Sequence, residues 1–168
     1  MNVNKSGLTH DQLQAKCFEW ACKEYYPFVH RRLVAVPNDA AGGNVIKGKQ
    51  YQALGVTGGV WDMVFFWFGY EYHEYDYDSL SPIISPLSIF WEFKVGTDKL
   101  SKDRIVKGKK VFGQTEFRDG LLPLGYKFFI ASEECEFQSQ FKAIIEPTLN
   151  IAKELLNGKE AGHRRSIQ

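Results

Sequence analysis

The chain has 168 residues, 44% hydrophobic and 24% charged, with a formal net charge of +1. That fits one globular domain with a real core, and the near-neutral total means that any surface for a polyanion has to be local. No apolar run approaches the ~18 residues of a membrane span, and the start MNVNKSGLTH lacks the apolar stretch of a secretion signal.

In chain order, Thr9-His10-Asp11-Gln12 reads as a capping box opening a helix, with Leu8 and Leu13 as staple partners. Leu13, Cys17, Trp20 and Ala21 then share one helical face, and Pro27 closes the pattern. Arg31–Val36 is a short strand candidate stopped by Pro37-Asn38, and a short helix is expected near Tyr51–Leu54. GVWDMVFFWF (Gly59–Phe68) is a strong strand candidate, and the tyrosine- and acid-rich stretch 69–88 with its prolines reads as a loop or flap. IFWEFKV (Ile89–Val95) is the next strand. Ser101 is a cap candidate for a basic helix carrying Lys102, Arg104, Lys107, Lys109 and Lys110. Gly125–Ala131 is a last strand, and the stretch from Glu136 reads as helix, broken at Pro147, running into a polar tail. This order predicts an α/β domain with a small mixed β-sheet flanked by helices.

Charge sits where a core is expected. Side chains alternate along a strand, so Ile89, Trp91, Phe93 and Val95 share one face, while Phe90, Glu92 and Lys94 share the other. Asp62 lies near the start of the preceding strand, and pairing of the two strands would bring it to Glu92. Two carboxylates at one point suit a hard divalent cation, and a lysine beside them can orient a water or stabilise charge on a phosphate. A solvent-facing Glu–Lys pair on an edge strand would have the same spacing.

Other signals point to less. GNVIKGK (Gly43–Lys49) matches half of a phosphate-binding loop, but Gln50 replaces the Ser or Thr that would hold Mg²⁺, so no nucleotide cofactor is expected. His10, His30, His73 and His163 form no HxxxH or HNH-like cluster. Cys17, Cys22 and Cys135 lack CxxC spacing and read as reduced thiols of a cytoplasmic protein, not as a zinc site. The EYHEYDYD stretch (Glu71–Asp78) reads as a solvated loop whose tyrosines could stack on an unpaired base.

Five pieces stand in order: HDQLQAKCFEW (His10–Trp20), VPN (Val36–Asn38), GVTGGVWD (Gly55–Asp62), EFKVGTDKLS (Glu92–Ser101) and LGYKFFI (Leu124–Ile130). Together they resemble the VRR-NUC branch of the PD-(D/E)xK nucleases over residues 8–143, with 144–168 as a helical extension and tail. The resemblance implies a restriction-endonuclease-like core and a Mg²⁺-dependent deoxyribonuclease, with Mn²⁺ able to substitute. It implies Asp62, Glu92 and Lys94 as catalytic residues, and Asp62, Glu92 and the Phe93 main-chain carbonyl as metal ligands. Gln14 is the counterpart of the family's helix glutamine, though the acid expected before it is absent, Asp11 being nearest. Arg104 stands where the family has a glutamine after Leu-Ser, and Trp61 stands for its proline. Lys99, Lys102, Lys107, Lys110, Arg31 and Arg32 are the expected DNA contacts. Small solitary members resemble phage-type, homodimeric resolvases of branched DNA, so branched or flapped DNA and a second copy are the expected partners. A non-catalytic DNA-binding module keeping the fold is the alternative, favoured by Arg104.

Overall fold

The structure, a computed structural model, describes residues 2–36, 60–71, 83–106, 108–111, 113–155 and 157. The expected helix near Tyr51–Leu54, the GNVIKGK loop and most of the acidic tyrosine stretch lie outside these residues. Helix α1 spans His10–Glu24, and its Thr9/Gln12 capping box forms as the sequence predicts. Strands β1 (Leu33–Ala35), β2 (Met63–Glu71) and β3 (Ile83–Phe93) follow. A two-stranded hairpin comes next, β4 (Arg104–Val106) and β5 (Lys109–Val111). Helix α2 (Gln114–Leu121), strand β6 (Lys127–Ala131) and helix α3 (Glu134–Ile145) complete the order.

The main sheet has the order β1-β2-β3-β6. β1/β2 and β2/β3 are antiparallel and β3/β6 is parallel, so the fold is mixed α/β with helices on both sides of a small sheet. The alternation along β2 and β3 decides what each side buries. Met63, Phe65, Trp67, Ile89, Trp91 and Phe93 pack with Leu13, Cys17 and Ala21 of α1 and Phe137, Phe141 and Ile145 of α3. The opposite face is smaller, with Trp61, Val64 and Phe90 under Phe117 and Leu121 of α2 and beside Phe128. Phe90 and Phe128, register partners on β3 and β6, stack with centroids 4.9 Å apart. The chain past Pro147 is helical again over 149–155, and Ala152 belongs to the larger core. The described part of the expected extension therefore shares the core of residues 8–143. No helix among the described residues is long and apolar enough to cross a membrane.

Two expectations are corrected. Residues 69–71 and 83–88 are strand rather than loop, because β2 and β3 extend together beyond the part of β3 that β6 covers. Pro86 sits in that extension, opposite Phe68. With no β6 partner there, its missing N–H leaves no gap in a ladder. The basic segment 102–110 is a hairpin rather than a helix. Ile105, Val106 and Val111 are β-branched and favour strand, and Gly108 takes the left-handed turn position with φ 74°.

Candidate functional site

The β2/β3 register sets the site. Met63 pairs with Trp91, so one step further Asp62 arrives beside Glu92 as the sequence predicts. Asp62 is held from several sides. Its Oδ2 accepts the Phe93 N–H at 2.8 Å and lies 3.0 Å from His10 Nε2. Its main-chain carbonyl accepts from Gln14 Nε2 at 2.9 Å and from the Val36 N–H at 2.8 Å. Gln14 thus ties the first turns of α1 to the start of β2. The Phe93 main chain meets Asp62 through this N–H.

Glu92 is 1% exposed and Asp62 5%. Glu92 Oε1 accepts from Lys94 Nζ at 2.6 Å and from Gln114 Nε2. Among the described residues, Glu92 Oε2 is the buried side-chain oxygen with no hydrogen-bond partner. Lys94 Nζ also donates to Gln114 Oε1 at 3.2 Å. Burial, reinforced by the Asp62 charge, pushes the Glu92 carboxyl up to about 7, and the bonds from Lys94 and Gln114 only partly oppose this. The hydrogen bond to Asp62 lifts the His10 imidazole to about 9 against the effect of its burial. His10, Asp62 and Glu92 each offer a ligand atom, all within 4.8 Å of one another.

This donor set fits a divalent cation. Two buried carboxylates at one point need compensating charge, and Glu92 Oε2 has no hydrogen-bond donor among the described residues. Asp62 and Glu92 are the hard oxygen donors that Mg²⁺ or Mn²⁺ would take.

Gln114 was missed in the sequence because the hairpin separates it from Leu100-Ser101. The structure closes that gap. Ser101 Oγ accepts the Gln114 N–H at 3.2 Å, the Ser101 N–H donates to Gln114 Oε1 at 3.1 Å, and the Thr115 N–H reaches the Ser101 carbonyl at 3.0 Å. Ser101 is therefore not the N-cap of a helix directly after it; it accepts the first two N–H groups of α2, thirteen residues on, whose own N-cap is Gly113. Trp61 buries its indole against Phe128 and donates Nε1–H to the Gln114 carbonyl at 3.1 Å. The residue standing for a proline therefore secures Gln114. The Lys-Gly pair between β-branched positions was the signal for the hairpin. His10 was passed over because it forms no histidine motif, although it lies one turn before Gln14 on the same face of α1.

The remaining expected residues are dispersed. Arg104 opens β4 and is exposed, so the side chain that reaches Lys94 and Glu92 is Gln114. Lys99 and Lys102 are exposed, Lys110 pairs with Asp103 at 2.6 Å, and Lys107 lies outside the described residues. Arg32 follows the opposite direction along β1. Its carbonyl accepts from the Phe66 N–H, four residues or about 13 Å along β2 from Asp62. Arg31 and Arg32 are thus not gathered at the site. Comparison with protein-family models, curated proteins and solved structures gave no match.

Two outcomes follow from this geometry. Glu92 has its carboxyl raised to about 7 from an ordinary 4.5, so its ionised form weakens the metal-free fold progressively above pH 4.5 and fully above pH 7. Glu92→Gln keeps the shape without the charge. In chelator at pH 8 its melting temperature should exceed that of the natural chain by about 2–4 °C, the shift that ~1 kcal/mol makes in a domain of this size. An equal or lower value would show that the Lys94 ion pair outweighs the burial. Gly113 precedes α2, and a Cβ there would lie under 3.0 Å from the backbone at Lys102 and Asp103. Gly113→Ala should displace Gln114 and lower any activity of the site by about tenfold or more, with the circular dichroism of the main fold retained. Unchanged activity would mean that Gln114 tolerates the shift.

Proposed function

We propose that the chain is a metal-dependent DNA nuclease with a restriction-endonuclease-like core, hydrolysing phosphodiester bonds in branched DNA as a homodimer. The observation that carries this reading is the meeting of Asp62, Glu92, Lys94 and Gln114 at one end of the sheet, with Glu92 Oε2 buried and unpartnered. The order of the motifs supplies the fold name, and the two-fold dimer would present two sites to two symmetric strands.

Asp62 and Glu92 would hold the cation, with the Phe93 carbonyl as the expected backbone donor. Such a cation activates a water and offsets charge building on the phosphate. Lys94 has three N–H donors. Among the described residues two are engaged, by Glu92 Oε1 and Gln114 Oε1, and the third would serve the attacking water or a phosphate oxygen. The Glu92 and Gln114 bonds fix the ammonium, so little reorganisation is needed when charge develops. In this reading the 3′ oxygen leaves, giving a 5′-phosphate. Gln114 takes the position at Lys94 for which Arg104 was the sequence candidate. This placement of Gln114 supports the catalytic reading over the non-catalytic binding module, and Arg104 becomes a candidate phosphate contact on the exposed hairpin beside Lys102.

The test is cleavage of four-way junctions, flaps, single strands and linear duplex side by side in Mg²⁺ and Mn²⁺. Four-way junctions should be cut fastest, and Lys94→Ala should lower turnover far more than affinity. Binding without cleavage of any substrate would leave the module alternative. Changing Lys102 and Arg104 together to Ala should weaken binding alike for all sequences and flatten its salt dependence by about 0.9 log–log units per lost phosphate contact. An unchanged slope would make the hairpin a solvated surface.

A further inference from the structure

His10 opens the HDQLQAKCFEW segment but has no role in the nuclease reading, yet three features direct it at the site. First, the capping box fixes the turn that carries it, with Thr9 Oγ1 accepting from the Gln12 N–H and Gln12 Oε1 from the Thr9 N–H. One turn on, Gln14 joins the same helix end to the Asp62 carbonyl. The imidazole is therefore carried on a rigid support rather than on a loop. Second, the two ring nitrogens are differentiated. Nδ1 lies 3.1 Å from Asp11 Oδ1, and Nε2 lies 3.0 Å from Asp62 Oδ2. Without a metal, Nε2 donates its proton to Asp62; a cation between the carboxylates would take that proton's place, while the Nδ1 proton stays donated to Asp11, the tautomer and outer partner that metal-bound histidines commonly have. Asp11 is solvent-exposed, so this bond orients the ring more than it alters basicity. Third, Glu92 Oε2 is buried and, among the described residues, without a hydrogen-bond partner, and it belongs to the residue that completes the His10–Asp62–Glu92 group.

We infer that His10 is a third protein ligand of the metal centre, and that its imidazole nitrogen makes the centre favour Mn²⁺ over Mg²⁺ more strongly than carboxylates alone would. The inference rests on the metal-dependent reading of the site. Its chemistry is that of the donor set. Mg²⁺ is hard, prefers oxygen and gives up its waters reluctantly. Imidazole suits the borderline first-row cations, whose affinities rise from Mn²⁺ upwards. Mn²⁺ accepts both donor types. One nitrogen beside two carboxylates therefore shifts a centre that could serve either ion towards Mn²⁺.

The test reads the bound ion itself. One equivalent of Mn²⁺ is added to the full chain, and electron spin-echo modulation is recorded for nitrogen coupling. Mn²⁺ and Mg²⁺ affinities are then measured by calorimetry for the natural chain and for His10→Glu, which offers oxygen in place of nitrogen. The natural chain should show nitrogen coupling, and His10→Glu should lose it. The Mn²⁺/Mg²⁺ affinity ratio should fall about tenfold or more in the variant. Bound Mn²⁺ without nitrogen coupling in the natural chain overturns the inference, and needs no variant to fold. So does an unchanged affinity ratio in a His10→Glu chain that melts cooperatively. The cleavage panel separates the two readings. Nitrogen-coupled Mn²⁺ with no DNA cut would retire the nuclease and keep the ligand, whereas cleavage with an uncoupled ion would do the reverse. Absence of binding by either ion would overturn both.

Discussion

Two carboxylates buried at one end of a sheet form an unfavourable arrangement, and much of the surrounding structure counteracts it. Glu92 and Asp62 are brought together by strand register, and neither sits in open solvent. Ionised carboxylates in such surroundings must find donors or opposite charge. The structure supplies the Phe93 N–H and His10 to Asp62, and Lys94 and Gln114 to Glu92. Even so, one Glu92 oxygen is left over. Among the described residues the hydrogen bonding of the two carboxylates is thus incomplete at Glu92 Oε2, which is the condition that makes the end of the sheet a candidate cation site.

The supports are spread across the whole fold. Helix α1 contributes through His10 and Gln14, and α2 through its first residue. The two helices lie on opposite faces of the sheet, so the charged end is approached from both sides. Each layer is held by bulky packing. Trp91, Phe137 and Phe141 fill one side, with ring centroids 5.4–5.7 Å apart, while Trp61, Phe90 and Phe128 fill the other. Dense aromatic layers resist small displacements, and such resistance is what positions the polar groups between them.

The legible parts of the sequence were those governed by local periodicity. The capping box and the alternation of β3 follow from spacing that a helix or strand imposes on its own residues, and the meeting of Asp62 with Glu92 needed only the pairing of two neighbouring strands. Two things were hidden for the same reason. Gln114 is separated from Ser101 by a hairpin, and His10 becomes part of the site only when α1 is laid across the start of β2. Neither relation has a linear spacing to detect. The mistaken basic helix has a different origin. A run of lysines suits a solvated helix as well as a solvated hairpin, and β-branching together with a glycine turn decided for the hairpin. The extent of β2 and β3 was underestimated because Pro86 reads as a loop residue until the absence of a third strand beside it is known.

The closure between Ser101 and Gln114 has a further consequence. The hydrogen bonds joining those two residues, with the one from Thr115 and those of Asp103 with Glu116 and Gly113, pin both ends of the intervening segment, so the hairpin between them behaves as a ring closed at its base. The cost of closing such a ring grows only slowly with its length. Residues of the β4–β5 hairpin, beyond Asp103 and before Gly113, can therefore be added, removed or exchanged with little strain passed to Glu92 and Lys94, whereas Gly113 itself cannot. The protein thus separates a fixed chemical centre from a replaceable appendage beside it, and surface preference can diverge while the centre stays in register.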